Sequence, residues 1–170
     1  FHTWNVKRLR PSEFTRYDYT RENYTQMLWF FEGFTSYYDD LLLRRAGLID
    51  EARYLRLLSR TITNTITLPG RQVQSVAQAS FDAWVKYYRP DENTVNATIS
   101  YYTKGALVAL ALDLRLRLEG QGTLDEAMRW LWGETGGGPM DEALFARALE
   151  SVGGRSFRKE LQAWVHGTQD

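Results

Sequence analysis

The stretch from Gly105 to Leu112 is the most apolar in the chain, and as a helix it would be apolar on every side for two turns. Such a helix is stable only inside a shell of neighbours, so the rest of the chain must supply elements to pack around it. Apolar residues spaced by threes and fours supply them. Tyr24, Met27, Leu28, Phe31, Phe34, Tyr38, Leu41 and Leu42 predict a first helix that Gly47 ends. A second is expected from Asp50 to Thr67 with Leu55, Leu58, Ile62 and Ile66 inward, before Pro69-Gly70. A third runs from Val73 to Tyr88 with Val76, Ala77, Phe81, Trp84 and Val85 inward, and it closes before Pro90. The polar stretch Asp91 to Asn96 reads as a loop, and the central helix fits Thr98 to Leu118.

Thr123 and Glu126 make a capping box for a fifth helix with Leu124, Ala127, Met128 and Leu131 inward. Gly136-Gly137-Gly138-Pro139 reads as a flexible connection. Asp141 can cap a sixth helix to Val152, and Ser156 a seventh to Val165. Only Thr61 to Thr67 alternates in the manner of a strand. The expected fold is all-α, an irregular bundle of about seven helices. Half of the aromatic residues fall in the first 40 positions, but no Pro, Gly and Ser linker follows them. One domain over residues 1–170 is therefore expected, irregular over 1–20 and bundled over 21–170.

Composition removes several kinds of chemistry. With no cysteine, there is no thiol nucleophile, iron–sulfur cluster or Cys-type zinc site within these residues. Twenty-one Lys+Arg against 21 Asp+Glu give no net charge to draw nucleic acid or an anionic membrane. No apolar run approaches the roughly 20 residues of a membrane span. The two histidines, His2 and His166, cannot make a three-His site, so metal chemistry here has to recruit carboxylates or groups outside the chain. Nothing selects a compartment.

Three segments stand out: His2-Thr3-Trp4-Asn5, Leu28-Trp29-Phe30-Phe31-Glu32-Gly33-Phe34-Thr35-Ser36-Tyr37-Tyr38, and Ser100-Tyr101-Tyr102-Thr103-Lys104-Gly105. Glu32 sits among aromatics, where a carboxylate is costly unless paired or bound to a cation. Singly, each segment also has a structural reading: a solvated histidine, a glutamate bridged to an arginine, one more core tyrosine.

Taken in order, they resemble the gluzincin zinc metallopeptidases, which carry H-E-x-x-H on one helix, a ligand Glu on the next and commonly a Tyr further on. His2-Thr3-Trp4, Trp29 through Tyr37 and Tyr102-Thr103-Lys104-Gly105-Ala106 match the glycyl-aminopeptidase family in particular. Pro69-Gly70-Arg71 to Tyr88 and the ending Trp164-Val165-His166-Gly167-Thr168 extend the likeness over most of the chain. The resemblance implies a fold like the C-terminal helical subdomain of thermolysin-like metallopeptidases. It implies zinc as cofactor, His2 and Glu32 as ligands, and Tyr102 as the hydroxyl that meets the oxyanion when water attacks a peptide carbonyl. Asp39, on the Glu32 face at i+7, is then a candidate acceptor behind a zinc histidine, although Asp39-Asp40 also fits a solvated acidic pair facing Arg44-Arg45.

In the family pattern the first histidine and the general-base glutamate stand four and three positions before His2, whereas the chain opens at Phe1. The resemblance thus implies the C-terminal part of an aminopeptidase catalytic region, cut inside its zinc helix and inactive alone. Residues 1–20 would be the end of that helix and an irregular connection. The parent's implied substrates are peptides with an amino-terminal Gly or small residue. Its implied partners are the upstream half of the catalytic region and a downstream PDZ-type domain, with self-association of the isolated chain. A reading of another class also stands: a helical binding module that holds no metal.

The remaining motifs have structural readings. Lys7-Arg8-Leu9-Arg10 is a solvated segment, and Asn23-Tyr24-Thr25 and Asn96-Ala97-Thr98 match a glycosylation pattern by chance. His166 has no companion ligand at helix spacing, and Arg115 and Arg117 suit the C-terminal end of a helix dipole.

Overall fold

The computed structural model describes residues 1–168; Gln169 and Asp170, the last two residues of the expected bundle, lie outside it. In chain order the elements are β1 (Arg10–Pro11), a 3₁₀ turn (Ser12–Arg16), α1 (Leu28–Arg45), α2 (Glu51–Ile66) and a 3₁₀ turn (Pro69–Gln72). Then come α3 (Val76–Phe81) with a π-turn (Ala83–Tyr87), α4 (Thr94–Ala97), α5 (Thr103–Leu118) and α6 (Leu124–Thr135). β2 (Pro139–Met140), α7 (Glu142–Gly153), and α8 (Arg158–Leu161) with a π-turn (Gln162–His166) complete the order. The protein is an irregular all-α bundle, and each of the seven expected segments holds a helix. Among the described residues, no helix is long and apolar enough to cross a membrane.

The bundle is organised by the crossing of α1 and α5. A methyl placed on Gly33 would lie 2.6 Å from the Gly105 backbone, and one on Gly105 would lie 2.5 Å from the Trp29 carbonyl oxygen. Only glycine at both positions lets the helices touch backbone to backbone. From this crossing α1 sends Trp29, Phe30 and Phe34 into the core, where the Phe30 ring lies 4.8 Å from that of Phe145 on α7. Each such fully buried apolar side chain stabilises the fold by about 1.5–3 kcal/mol. The same face of α5 buries Val108, Ala109, Leu112 and Leu116, while Leu107, Leu110 and Ala111 are half-buried, so α5 is enclosed on one broad side.

Below the crossing, Asp113 is a buried junction. Its Oδ2 accepts from the Tyr37 hydroxyl at 2.8 Å and from Arg117 Nε at 2.9 Å, and its Oδ1 accepts from the Leu124 N–H at 2.8 Å. One carboxylate thereby ties α1, α5 and the start of α6, its charge matched by the arginine and hydrogen-bonded on both oxygens. Burial and the Asp113 charge raise the Tyr37 pKa well above its ordinary value, so the phenol stays a donor.

Several caps agree with the sequence reading. Asp50 accepts from Arg53 N, Thr123 and Glu126 form the full capping box, and Asp141 accepts from Leu144 N. Other expectations are corrected. In α2 the expected inner residues Leu55, Ile62 and Ile66 are 51%, 37% and 53% exposed, and Thr65 with half-buried Tyr54, Leu58 and Thr61 faces inward. A small cavity beside α2 is lined by Ser36, Tyr37 and Asp40 of α1, Ala106 and Leu107 of α5, and Tyr54, Leu58 and Thr61 of α2, so α2 meets a mixed surface with a mixed face. In the third segment Phe81, Trp84 and Val85 lie outward, and Val76, Ala77, Ala79 and Ala83 are buried. Small residues are needed there: Ser80 Oγ accepts from the Trp29 backbone N–H at 2.9 Å, which holds α3 close against α1.

Several boundaries also move. α1 begins at Leu28, with Tyr24 and Met27 before it and the expected inner residues Tyr24 and Leu42 exposed, and α3 begins at Val76. The expected loop 91–96 contains the start of α4, and α5 begins at Thr103 because Ser100 Oγ takes the N–H groups of Tyr102 and Thr103 at 3.2 and 3.4 Å. Ser156 accepts from Arg158 N at 3.4 Å, with α8 starting at Arg158. The expected flexible connection before α7 is pinned by β2, which pairs in parallel with β1, Arg10 opposite Pro139 and Pro11 opposite Met140.

Gly33→Ala or Gly105→Ala should destabilise the protein by about 2 kcal/mol or more in urea unfolding, through overpacking at the crossing. Helix propensity alone would stabilise by up to about 1 kcal/mol. A stabilised variant would contradict the crossing described above.

Candidate metal centre

The first residues form a turn that lies across α1. The N–H of Asn5 donates to the Phe1 carbonyl oxygen at 3.0 Å, the Phe1 ring stacks on Tyr38 at 4.6 Å, and the Trp4 ring stacks on Trp132 at 5.4 Å. β1 anchors the continuing chain against β2. This places His2 over the second turn of α1, where its Nε2 lies 3.2 Å from Glu32 Oε2.

The other imidazole nitrogen is held from behind. His2 Nδ1 lies 3.3 Å from the Asn5 carbonyl oxygen and 3.5 Å from Thr35 Oγ1. With the proton on Nδ1, His2 donates to Asn5 and aims the Nε2 lone pair at the carboxylate. Two acceptors in that arrangement call for a cation between them, or for a proton on Nε2 as well. Tetrahedral zinc with N and O ligands at about 2.0–2.2 Å separates two ligand atoms by about 3.4 Å, close to the spacing here. His2 and Glu32 therefore fit as two ligands of one zinc ion. Among the described residues, no group of three His, Cys, Asp or Glu is gathered to hold a metal.

Burial raises the Glu32 pKa above the usual carboxylate range, the charge of Asp39 raises it further, and His2 opposes both. Asp39 is exposed, and its charge also raises Asp40. Arg45 of the neighbouring pair is committed to Asp125 at 2.8 Å. On α5, Tyr102 stands at the helix start, three residues before Gly105, as Glu32 stands one before Gly33 on α1, and its ring lies 4.7 Å from that of Tyr101 and 5.6 Å from that of Tyr87. Its pKa is raised first by burial and next by the negative charge of Glu32. The structure thus brings His2 and Glu32 into contact, with the charges of Asp39 and Glu32 acting on Glu32 and Tyr102 respectively. His166 is engaged elsewhere, with Glu142 Oε1 at 2.7 Å.

Two residues of the site escaped the sequence reading. Asn5 is fully buried, and its Nδ2 donates to the Phe31 carbonyl oxygen at 3.0 Å; Thr35 Oγ1 donates to the same oxygen at 2.7 Å. Both lie inside the segments that carry the family resemblance, but nothing in their type marks them as more than polar neighbours.

Comparison with known proteins identifies the family and the fold. The family model for M61 glycyl aminopeptidases matches residues 1–108. A solved structure of an aminopeptidase N family protein from Idiomarina loihiensis is 42% identical and superimposes with a TM-score of 0.93, covering 100% of this chain. The matched region is 30% of that protein's chain, so this chain spans under a third of its relative. No curated protein matches the chain. The chain belongs to the M61 glycyl aminopeptidase family.

In the metal-free chain, the raised Glu32 pKa means that the folded state holds that proton more tightly than the unfolded state does. Its contribution to stability is full below the unfolded value of about 4.3 and is lost as pH rises through the folded one. Asp39→Asn should lower the Glu32 midpoint in a carboxylate NMR titration and recover part of that loss at neutral pH. An unmoved midpoint would show that Asp39 does not act on Glu32.

Proposed function

We propose that this chain is the C-terminal helical part of the catalytic region of a zinc-dependent aminopeptidase, with a fold akin to the helical subdomain of thermolysin-like metallopeptidases. His2 Nε2 and Glu32 Oε2 are two of the zinc ligands. The observation that carries this reading is their 3.2 Å approach, in a chain of the glycyl aminopeptidase family. The remaining imidazole ligand and the general base come from residues outside 1–170, so the isolated chain holds zinc weakly and does not hydrolyse peptides. When bound, zinc would supply a Lewis acid for the peptide carbonyl and lower the pKa of a water.

The residues of this chain do the rest. Tyr102 is kept protonated by burial and by the Glu32 charge, so at neutral pH it is a hydrogen-bond donor and not a base. A donor held at the place where the oxyanion develops stabilises the transition state more than the bound substrate. Asp39, on the exposed side of Glu32, is the candidate acceptor for the N–H of a zinc histidine. The substrates are peptides with an amino-terminal Gly or other small residue. The partners within the parent are the upstream half of the catalytic region and a PDZ-type domain downstream. The exposed Leu55, Ile62 and Ile66 support self-association of the isolated chain.

In the full-length enzyme, Glu32→Ala should abolish stoichiometric zinc by atomic absorption. Tyr102→Phe should retain the metal and lower kcat about 10²- to 10³-fold with little change in KM. Wild-type zinc content in the first variant, or wild-type turnover in the second, would remove that residue from its role.

A further inference from the structure

The contacts around His2 converge on a residue that the chemistry above leaves unused. Asn5 bridges His2 and the helix that carries Glu32: its main-chain carbonyl oxygen faces His2 Nδ1 at 3.3 Å, and its side-chain Nδ2 donates to the carbonyl oxygen of Phe31, the residue before Glu32, at 3.0 Å. Thr35 Oγ1 lies between these contacts, 3.4 Å from Asn5 Nδ2 and 3.5 Å from His2 Nδ1. The backbone is bent to hold this arrangement. Val6 has φ +93°, a region that β-branched residues rarely enter, and its N–H donates to the carbonyl oxygen of fully buried Leu9 at 2.8 Å. The chain therefore leaves the His2 turn through one abrupt bend, pinned by Asn5 on one side and Leu9 on the other.

We propose that Asn5 is a positioning residue for the metal pair. Its main-chain carbonyl takes the Nδ1 proton of His2, which turns Nε2 toward Glu32, and its side chain, through Nδ2, ties that carbonyl to α1 and so sets the spacing of the imidazole from the helix. The inference rests on the zinc reading above. An amide suits the task, because Nδ2 can donate to a main-chain carbonyl where a carboxylate would meet it as a second acceptor. Were Asn5 only a packing residue, its loss would lower stability and leave the metal affinity of the folded protein unchanged.

The test is zinc affinity of the full-length enzyme by competition with a chromophoric chelator, read beside thermal unfolding of the metal-free protein. Asn5→Ala keeps the main-chain carbonyl that faces His2 but frees it from Phe31, and it should weaken zinc binding about 10-fold, at the lower end of what disturbing a group behind a ligand does. Thr35→Val keeps the side-chain shape and removes the hydroxyl shared by Asn5 and His2; it should weaken binding severalfold, and it decides the matter if Asn5→Ala does not fold. Wild-type affinity in folded Asn5→Ala overturns the inference and leaves the zinc reading intact. If Asn5→Ala does not fold, wild-type affinity in Thr35→Val overturns it. A wild-type enzyme that takes up no zinc overturns the zinc reading, and the inference with it.

Discussion

The bundle depends on a backbone contact between two glycines. Where Gly33 meets Gly105, α1 and α5 approach more closely than any side chain allows. That contact brings residues of two distant helices to one place. Glu32 is displaced from its crossing point by one residue and Tyr102 by three, so the charge of one reaches the hydroxyl of the other. Core packing and site geometry thus share a cause. The aromatic face of α1 can pack on Phe145, and Glu32 can stand opposite Tyr102, because the two backbones touch.

A second constraint brings in the chain start. Stacking of Phe1 on Tyr38 and of Trp4 on Trp132, the Asn5 clamp on Phe31, and the short parallel pairing of β1 with β2 all bear on the first eleven residues. No regular helix or long strand holds this segment, so its placement depends on side chains and on one bent residue, Val6. The site is assembled from an irregular segment pressed against a rigid crossing. Its polar groups are arranged with opposite effects: the imidazole favours charge on Glu32, while burial and Asp39 disfavour it. A cation at the pair would relieve that opposition.

Much of this is legible in residue order. Helix periods and the caps at Asp50, Thr123 and Asp141 locate the elements, and the segments around His2 and Glu32 hold the two side chains that the fold brings to 3.2 Å. The orientations of α2 and α3 are not legible, because they depend on which neighbour each helix meets. Leu55, Ile62 and Ile66 form a proper apolar stripe, yet α2 meets a mixed surface, Ser36, Tyr37 and Asp40 of α1 beside Ala106 and Leu107 of α5, with Tyr54, Leu58 and Thr61. Phe81 and Trp84 likewise read as core until Ser80 is seen to hold α3 against the Trp29 backbone. Asn5 was invisible for a related reason, since its role lies in hydrogen bonds to main-chain oxygens that become neighbours only after folding.

The proposal that His2 and Glu32 share one zinc ion is tested most directly by anomalous diffraction at the zinc edge from crystals of the metal-loaded, full-length protein. The expected result is one anomalous peak within about 2.0–2.2 Å of both His2 Nε2 and Glu32 Oε2. A zinc peak bound elsewhere, with the His2–Glu32 pair left as a direct contact, would contradict it.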